Sequence, residues 1–254
     1  MKPLGRFLLL LLCASIGVAT ELKTATTHPI QYYLSLPDQW TSGKAWPVVF
    51  VIESANRDFE TAAEVYRKAR GARPFILVTP LVVTNGGARY REVPSYHYSD
   101  STWAQIAKDG ACRFDTDGLR AIAADLHKLY QGEEQYFITG LEAAGHTVWM
   151  QVFTSPELLR AAAPVAPNYQ GRCVEEIGWS TSPSRATLPV KVFGGSQDQY
   201  WSPGKPFRAQ TDEAERAATQ HGYKNISESV VQGKGHEALA EEVLTYFASL
   251  VKNR

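Results

Sequence analysis

Short apolar runs alternate with segments of helical periodicity along most of the chain, and this alternation constrains the fold more than any other feature. The run WPVVFVIES (46–54) is almost continuously apolar, as expected of a strand that is buried on both faces. The segment that follows it (58–70) has the apolar spacing of an amphipathic helix. Repeated strand–helix units predict an α/β protein with a mostly parallel central sheet and helices on both of its faces.

The other predicted elements continue this pattern and suggest no internal repeat or linker. The predicted strands are 30–37 (as an edge strand), 74–83, 135–139, 160–167, 188–195 and 227–233. The predicted helices are 115–130, the segment after Glu142, 212–222 and 236–253. The longest stretch predicted to be irregular runs from about 84 to 113, and loops of that length are often functional. We therefore expect a single domain over residues 20–254.

The N-terminus has the pattern of an export signal. Lys2 and Arg6 precede a short apolar run (7–13), and Gly17-Val18-Ala19 fits a cleavage site for signal peptidase. A signal peptide over residues 1–19 predicts a secreted or periplasmic protein with no membrane span after its removal; a retained anchor is the alternative. Cys112 and Cys173 then remain, and in an exported protein one disulfide is favoured over two free thiols.

The overall charge gives no indication of a polyanionic partner. Acidic and basic residues number 26 each, so the formal net charge is zero, and neither a nucleic acid nor an anionic membrane surface is an expected partner. The sequence contains no H-E-x-x-H, P-loop or G-x-G-x-x-G pattern. We therefore predict neither a metal nor a nucleotide cofactor.

Three predicted strands end in residues that can perform chemistry. Glu142 follows the strand in YFITGLEAAGH, Asp198 follows the strand in VFGGSQDQYW, and His236 follows the strand in VVQGKGH. The carboxyl ends of parallel strands meet at one edge of a sheet, where α/β proteins form their sites. We therefore predict that these three side chains lie together.

These segments resemble the α/β-hydrolase family, and specifically secreted esterases of the polyhydroxybutyrate-depolymerase or feruloyl-esterase type. ITGLEAAGH resembles their serine elbow, and the segments around 198 and 236 resemble the loops that carry their acid and histidine. The resemblance implies an α/β-hydrolase fold, with Asp198 as the acid and His236 as the general base. It also places Ser54 and Ala143 in the region that binds the oxyanion.

The sequence departs from the family pattern where the chemistry is most demanding. Glu142 stands in the place of the nucleophilic serine, and Glu53-Ser54 in the place of a usual His-Gly. Ala144 replaces the second glycine of the elbow, which is a mild change. Ser54, Ser196 and Ser202 lie near strand ends, but none of them has an elbow pattern that marks a nucleophile.

Three interpretations of Glu142 remain open. It can attack an alkyl carbon covalently, or exchange protons together with His236. It can instead form an ion pair with His236 that disables serine-type hydrolysis and leaves a binding protein. The ligand or substrate is then a small molecule or a group linked to a polysaccharide or polyester. Tyr200 and Trp201 are candidates for binding it, although such aromatic residues equally serve as buried anchors.

Overall fold

The computed structural model describes residues 20–85 and 90–252, and within them eight strands form one twisted sheet. The strand order is β1-β2-β4-β3-β5-β6-β7-β8. The two pairs that involve β2 are antiparallel and the remaining pairs are parallel. The predicted α/β class and mostly parallel sheet are therefore confirmed. The strands are β1 (Glu21–Thr24), β2 (Gln31–Ser35), β3 (Val48–Ile52), β4 (Ile76–Pro80), β5 (Tyr136–Leu141), β6 (Leu159–Val165), β7 (Val190–Gly195) and β8 (Ile226–Val231).

Helices cover both faces of this sheet, so its apolar strands are buried between two cores. One core gathers buried residues of β3 and β5 with α1 and α7, and the other lies beneath α2, α3, α4 and α6. Within the described part of the chain the α-helices are α1 (Phe59–Arg70), α2 (Asp100–Asp109), α3 (Ala111–Tyr130), α4 (Ala144–Thr154), α5 (Val174–Ile177), α6 (Pro206–Gln220) and α7 (Ala240–Lys252). None of the described helices is both long enough and apolar enough to span a membrane.

The start of α1 illustrates how local sequence sets an element. Asp58 occupies the N-cap position, and its side chain accepts a hydrogen bond from the Thr61 N–H. An aspartate there satisfies an otherwise unpaired backbone donor, and its negative charge interacts favourably with the positive end of the helix dipole. The helix predicted over 58–70 is thus confirmed, with Asp58 as its cap.

Two predictions about local structure are wrong. The segment at 30–37 is not an edge strand, because β1 pairs with its outer side through a register that joins Glu21 to Leu34. The stretch from 84 to 113 is not irregular throughout, because it contains α2, which Ser99 caps through a bond to the Thr102 N–H. Its aromatic residues Tyr96, Tyr98 and Trp103 are buried in mutual ring contacts, and therefore anchor this segment.

The predicted disulfide is present. Cys112, in the first turn of α3, is bonded to Cys173, which immediately precedes α5, with 5.3 Å between their Cα atoms. The bond closes a loop with a sequence separation of 61 residues. The predicted signal peptide over 1–19 lies outside the described residues, so it stays a prediction.

Candidate functional site: two carboxylates beside a histidine

Glu142 lies at the tip of a tight turn between β5 and α4. Its backbone has a φ of 54°, a left-handed conformation that is unusual for a residue with a side chain. Glycines make the turn possible: a Cβ on Gly140 would lie 2.5 Å from the Ala144 Cβ, and one on Gly145 would lie 2.5 Å from the Pro167 Cβ. This strained strand–turn–helix geometry is that of a nucleophile elbow, with a carboxylate where a serine is usual.

Asp198 and His236 come from the two neighbouring loops, after β7 and β8. The carboxylate of Asp198 is almost fully buried, and its Oδ2 lies 2.9 Å from Nδ1 of His236. Its Oδ1 accepts the Tyr200 N–H at 2.8 Å. Gly195 lets the two loops touch, because an added Cβ there would lie only 2.3 Å from the Lys234 carbonyl oxygen.

The opposite nitrogen of the same imidazole faces the elbow. Nε2 of His236 lies 3.7 Å from Oε2 of Glu142, which is an ion-pair distance and longer than a hydrogen bond. The pKa of His236 is raised above its usual value, chiefly by the Glu142 carboxylate and further by Asp198, although partial burial opposes this. Two flanking carboxylates therefore favour the imidazolium form. The structure thus brings together the three side chains that the sequence predicted to meet.

The two backbone N–H groups of the predicted oxyanion region differ in whether they already act on an acceptor. The Ala143 N–H donates to no acceptor in residues 20–85 and 90–252, so it remains available at the start of α4. The Ser54 N–H, by contrast, acts on the carboxylate of the preceding Glu53, where it lowers the pKa of that group. Asn85 holds this loop in place by donating to the Glu53 carbonyl oxygen at 2.6 Å and to that of Ser54 at 3.1 Å.

Glu53 is a functional candidate whose charge environment the sequence did not reveal. Its Oε1 accepts the Asp58 N–H at 3.2 Å. Burial raises the pKa of the Glu53 carboxyl to about 7, the charges of Asp58 and Glu142 add to that rise, and the N–H groups of Ser54 and Asp58 oppose it. The site therefore holds two carboxylates beside the imidazole, Glu142 and Asp198, and a third carboxyl group, Glu53, that is influenced by the charge of Glu142.

The two aromatic candidates beside Asp198 differ in their exposure. The Tyr200 ring is 44% exposed and packs edge-on against the His236 ring, with centroids 5.0 Å apart. Trp201 is only 4% exposed, its indole N–H donates to Thr211, and its ring fills the space beside Gly194. The burial of Trp201 therefore favours the alternative that its ring is a buried anchor, and its ligand-binding role stays a prediction.

His146 and a cluster of three acidic residues are ionisable groups whose surroundings indicate a structural role. His146, in the first turn of α4, is buried, and burial lowers its pKa to about 4, so it packs as a neutral residue. Asp212, Glu215 and Glu228 lie near enough to one another to share a cation. The guanidinium of Arg208 already pairs with Asp212 and Glu228, however.

Solved structures similar to this chain include several hydrolases. Poly(aspartic acid) hydrolase-1 from Sphingomonas sp. KT-1 superposes with a TM-score of 0.60 at 14% identity, covering 93% of this chain and 99% of that one. S-formylglutathione hydrolase (FrmB) from Staphylococcus aureus gives a TM-score of 0.62 at 11% identity, covering 91% and 96%. An S-formylglutathione hydrolase from Agrobacterium tumefaciens gives 0.56 at 11%, covering 92% of each chain.

These similarities establish the fold of the chain. It has the α/β-hydrolase fold, as the sequence resemblance implied, and the elbow, acid and histidine stand at the strand ends where that fold builds its sites. No protein-family model and no curated protein matches the sequence.

Proposed function

We propose that this protein is a non-hydrolytic binding protein, built on the α/β-hydrolase fold from esterase ancestry and exported from the cell. The ion pair between Glu142 and His236 carries this proposal. A serine esterase needs a hydroxyl at the elbow and a neutral imidazole to take its proton. Here the elbow carries a carboxylate, and that carboxylate favours the protonated imidazole.

The surroundings of the acyl-binding position support the same conclusion. An oxyanion is stabilised by preorganised N–H donors in a site that favours negative charge. The Ser54 N–H is instead directed to the carboxylate of Glu53, and Glu142 brings a second negative charge to the elbow. A developing oxyanion would therefore meet repulsion at the place where hydrolases offer attraction.

Export is supported by the disulfide as well as by the N-terminal pattern. Disulfides persist in oxidising compartments and are rare where thiols are kept reduced. Cys112 and Cys173 are bonded in the folded chain, and residues 1–19 have the composition of a signal peptide.

One observation favours a second candidate, a hydrolase that uses Glu142 as a carboxylate nucleophile. The 2.9 Å contact between His236 and Asp198 is retained, and such a pair can activate water against a covalent ester. The Glu142 side chain is 32% exposed, so a substrate could reach it. Carboxylates attack alkyl carbons more readily than acyl carbons, so this candidate predicts activity on alkyl halides or epoxides.

Hydrolysis assays on wild-type protein and on Glu142→Ser separate the two candidates. We expect wild-type protein to hydrolyse p-nitrophenyl acetate and a short-chain epoxide no faster than the uncatalysed background rate. Glu142→Ser supplies a hydroxyl and removes the charge beside His236, so we expect ester hydrolysis to rise ~100-fold above wild type. The double variant Glu142→Ser/His236→Ala is the matched control and should return to background.

Each alternative gives a different result in these assays. Epoxide or halide turnover by wild-type protein that disappears in Glu142→Gln would establish carboxylate catalysis and refute the binding proposal. Ester hydrolysis by wild-type protein that survives Glu142→Gln would point to another nucleophile. A folded but inactive Glu142→Ser variant would contradict the inference that the Glu142 carboxylate at the elbow is what prevents hydrolysis.

A further inference from the structure

A small cleft opens beside the elbow, between the loop after β3 and the first turns of α1. Its volume is about 220 Å³, the room of roughly seven water molecules at ~30 Å³ each. Glu53, Ser54 and Asp58 line its polar side, and Val65, Leu141 and Ala238 contribute apolar surface. No lysine, arginine or histidine is among its lining residues.

The polar side of the cleft has unused hydrogen-bonding capacity. Ser54 is only 6% exposed, yet its hydroxyl forms no hydrogen bond with any residue in the described ranges. Oε1 of Glu53 accepts the Asp58 N–H at 3.2 Å, and the Ser54 N–H also acts on this carboxylate, which receives no hydrogen bond from a side chain of the described residues. The Ser54 hydroxyl and the Glu53 carboxylate are accessible from the cleft, where they can accept hydrogen bonds from a donor that enters it.

The charges around Glu53 indicate the sign of that partner. Asp58 comes from the cap of α1 and Glu142 from the elbow, and both raise the pKa of the Glu53 carboxyl in addition to the effect of its burial. Tyr66 of α1 also lines the cleft, and burial raises its pKa, so it is a neutral phenol; the charge of Glu242 in α7 adds to that rise. None of these groups is a cation, and within residues 20–85 and 90–252 no ion pair joins Glu53 to a lysine, arginine or histidine.

We propose that this cleft binds a small primary ammonium ion, with its head at Glu53 and Ser54 and a short aliphatic chain on the apolar wall. An ammonium group offers three donors, which can be shared between the Glu53 carboxylate and the Ser54 hydroxyl. A divalent metal ion fits less well, because it requires several oxygen ligands and gains nothing from apolar residues. The inference deepens the proposed function, on which it rests, by giving that binding protein a ligand class.

Titration calorimetry with n-butylammonium chloride as the probe tests this proposal. At pH 7.0 a carboxyl with a pKa of about 7 is half protonated, so binding of a cation should release ~0.5 proton per ligand. Measurements in two buffers of different ionisation enthalpy give that number. We expect butan-1-ol and butyrate, which share the alkyl chain but lack the positive charge, to bind at least tenfold more weakly.

Variants locate the binding within the cleft. Glu53→Gln should weaken butylammonium binding at least tenfold and abolish proton release, and Ser54→Ala should weaken it about threefold. Glu60→Gln is the matched control, because Glu60 is an exposed glutamate in the first turn of α1 outside the cleft lining. Thermal melts of each variant confirm that the fold is retained.

The outcomes separate this inference from the function on which it rests. Equal affinity for butyrate, no detectable butylammonium binding, or an unchanged affinity in Glu53→Gln overturns the ligand class. If wild-type protein shows none of these but hydrolyses esters or epoxides, the non-hydrolytic function fails while the ammonium site stands. If hydrolysis is absent and butylammonium does not bind, only the ligand class fails.

Discussion

The two halves of the site differ in how they use the same fold. On one side, the loops after β7 and β8 carry Asp198 and His236, with Oδ2 of the aspartate 2.9 Å from Nδ1 of the histidine. Hydrolases with a catalytic triad use the same acid–histidine arrangement. On the other side, the loops after β3 and β5 present the carboxyl groups of Glu53 and Glu142. The backbone of the elbow keeps its strained turn, with a φ of 54° at Glu142.

This contrast shows that backbone geometry and electrostatics can be separated within one site. The elbow turn depends on small residues and close packing, and these are still present at Gly140, Ala144 and Gly145. The stabilisation of an oxyanion depends on the charge that surrounds the N–H donors, and Glu142 brings a carboxylate to the elbow beside them. Under the proposed function, the chain therefore has the shape of a hydrolase site without its chemistry.

The first prediction concerns the acid–histidine half, which a steric clash alone should destabilise. An alanine at position 195 would place its Cβ 2.3 Å from the Lys234 carbonyl oxygen and 2.5 Å from that of Gly235. Backbone atoms cannot move aside cheaply, so we expect Gly195→Ala to lower the free energy of unfolding by about 3 kcal/mol. Chemical denaturation measures this loss.

Gly235→Ala in the same pair of loops is the control for that prediction. No heavy atom lies within 4 Å of a Cβ at Gly235, so its stability should change by less than ~0.5 kcal/mol. Equal effects of the two substitutions would mean that the loops are not in contact as described.

The second prediction concerns the opposite half and its dependence on pH. The pKa of Glu53 is raised to about 7 in the fold from an ordinary value of 4.5, so the fold favours the protonated carboxyl. Below pH 4.5 the carboxyl is protonated in both the folded and the unfolded chain, so its raised pKa does not change the free energy of unfolding. As pH rises towards 7 the unfolded chain ionises this group more readily than the folded chain, so the raised pKa increasingly lowers the free energy of unfolding. Glu53→Gln should therefore stabilise the protein by ~1–3 kcal/mol at pH 8 and leave it unchanged at pH 4.5.

Melting curves of Glu53→Gln and of Glu60→Gln at both pH values test this difference. Glu60→Gln should show no comparable gain at either pH, because Glu60 is exposed. A Glu53→Gln variant that is no more stable than wild type at pH 8 would show that Glu53 is not held in a disfavoured charged state.

The third prediction has the smallest expected effect and concerns the contact between Glu142 and His236, which joins the two halves of the site. Glu142 is the chief cause of the raised pKa of His236, so Glu142→Gln should lower that pKa. NMR titration of the imidazole resonances measures the change, and the buried His146 provides an internal reference that should not move. An unaltered His236 titration would place the elbow carboxylate out of reach of the imidazole.

Much of the fold could be predicted because buried parallel strands are apolar over their whole length. All five residues of β3 are buried, and its sequence VVFVI shows this directly. The strand β1 could not be predicted, because ELKT is short and largely exposed and is held by backbone pairing with β2. The helix α2 was missed because its few buried residues, among them Trp103 and Ile106, give only a weak helical period.

The same distinction applies to the site. Glu142, Asp198 and His236 could be predicted as neighbours, because each follows a strand and parallel strands end at one edge. The importance of Glu53 could not be predicted in the same way, since the rise of its pKa arises from burial and from the charges of Asp58 and Glu142. The different burial of Tyr200 and Trp201 could not be predicted, because sequence does not reveal which of two adjacent aromatic residues faces the interior.

The bond between Cys112 and Cys173 encloses the elbow in a covalent ring. The segment between the two sulfurs contains β5, Glu142, α4 and β6, so the strained turn stays within a closed loop even when the chain unfolds. In the chain-entropy description, a ring of this size removes about 4 kcal/mol of conformational freedom from the unfolded state. Forming this bond thus offsets part of the cost of an elbow with unfavourable backbone angles and two carboxylates beside one imidazole.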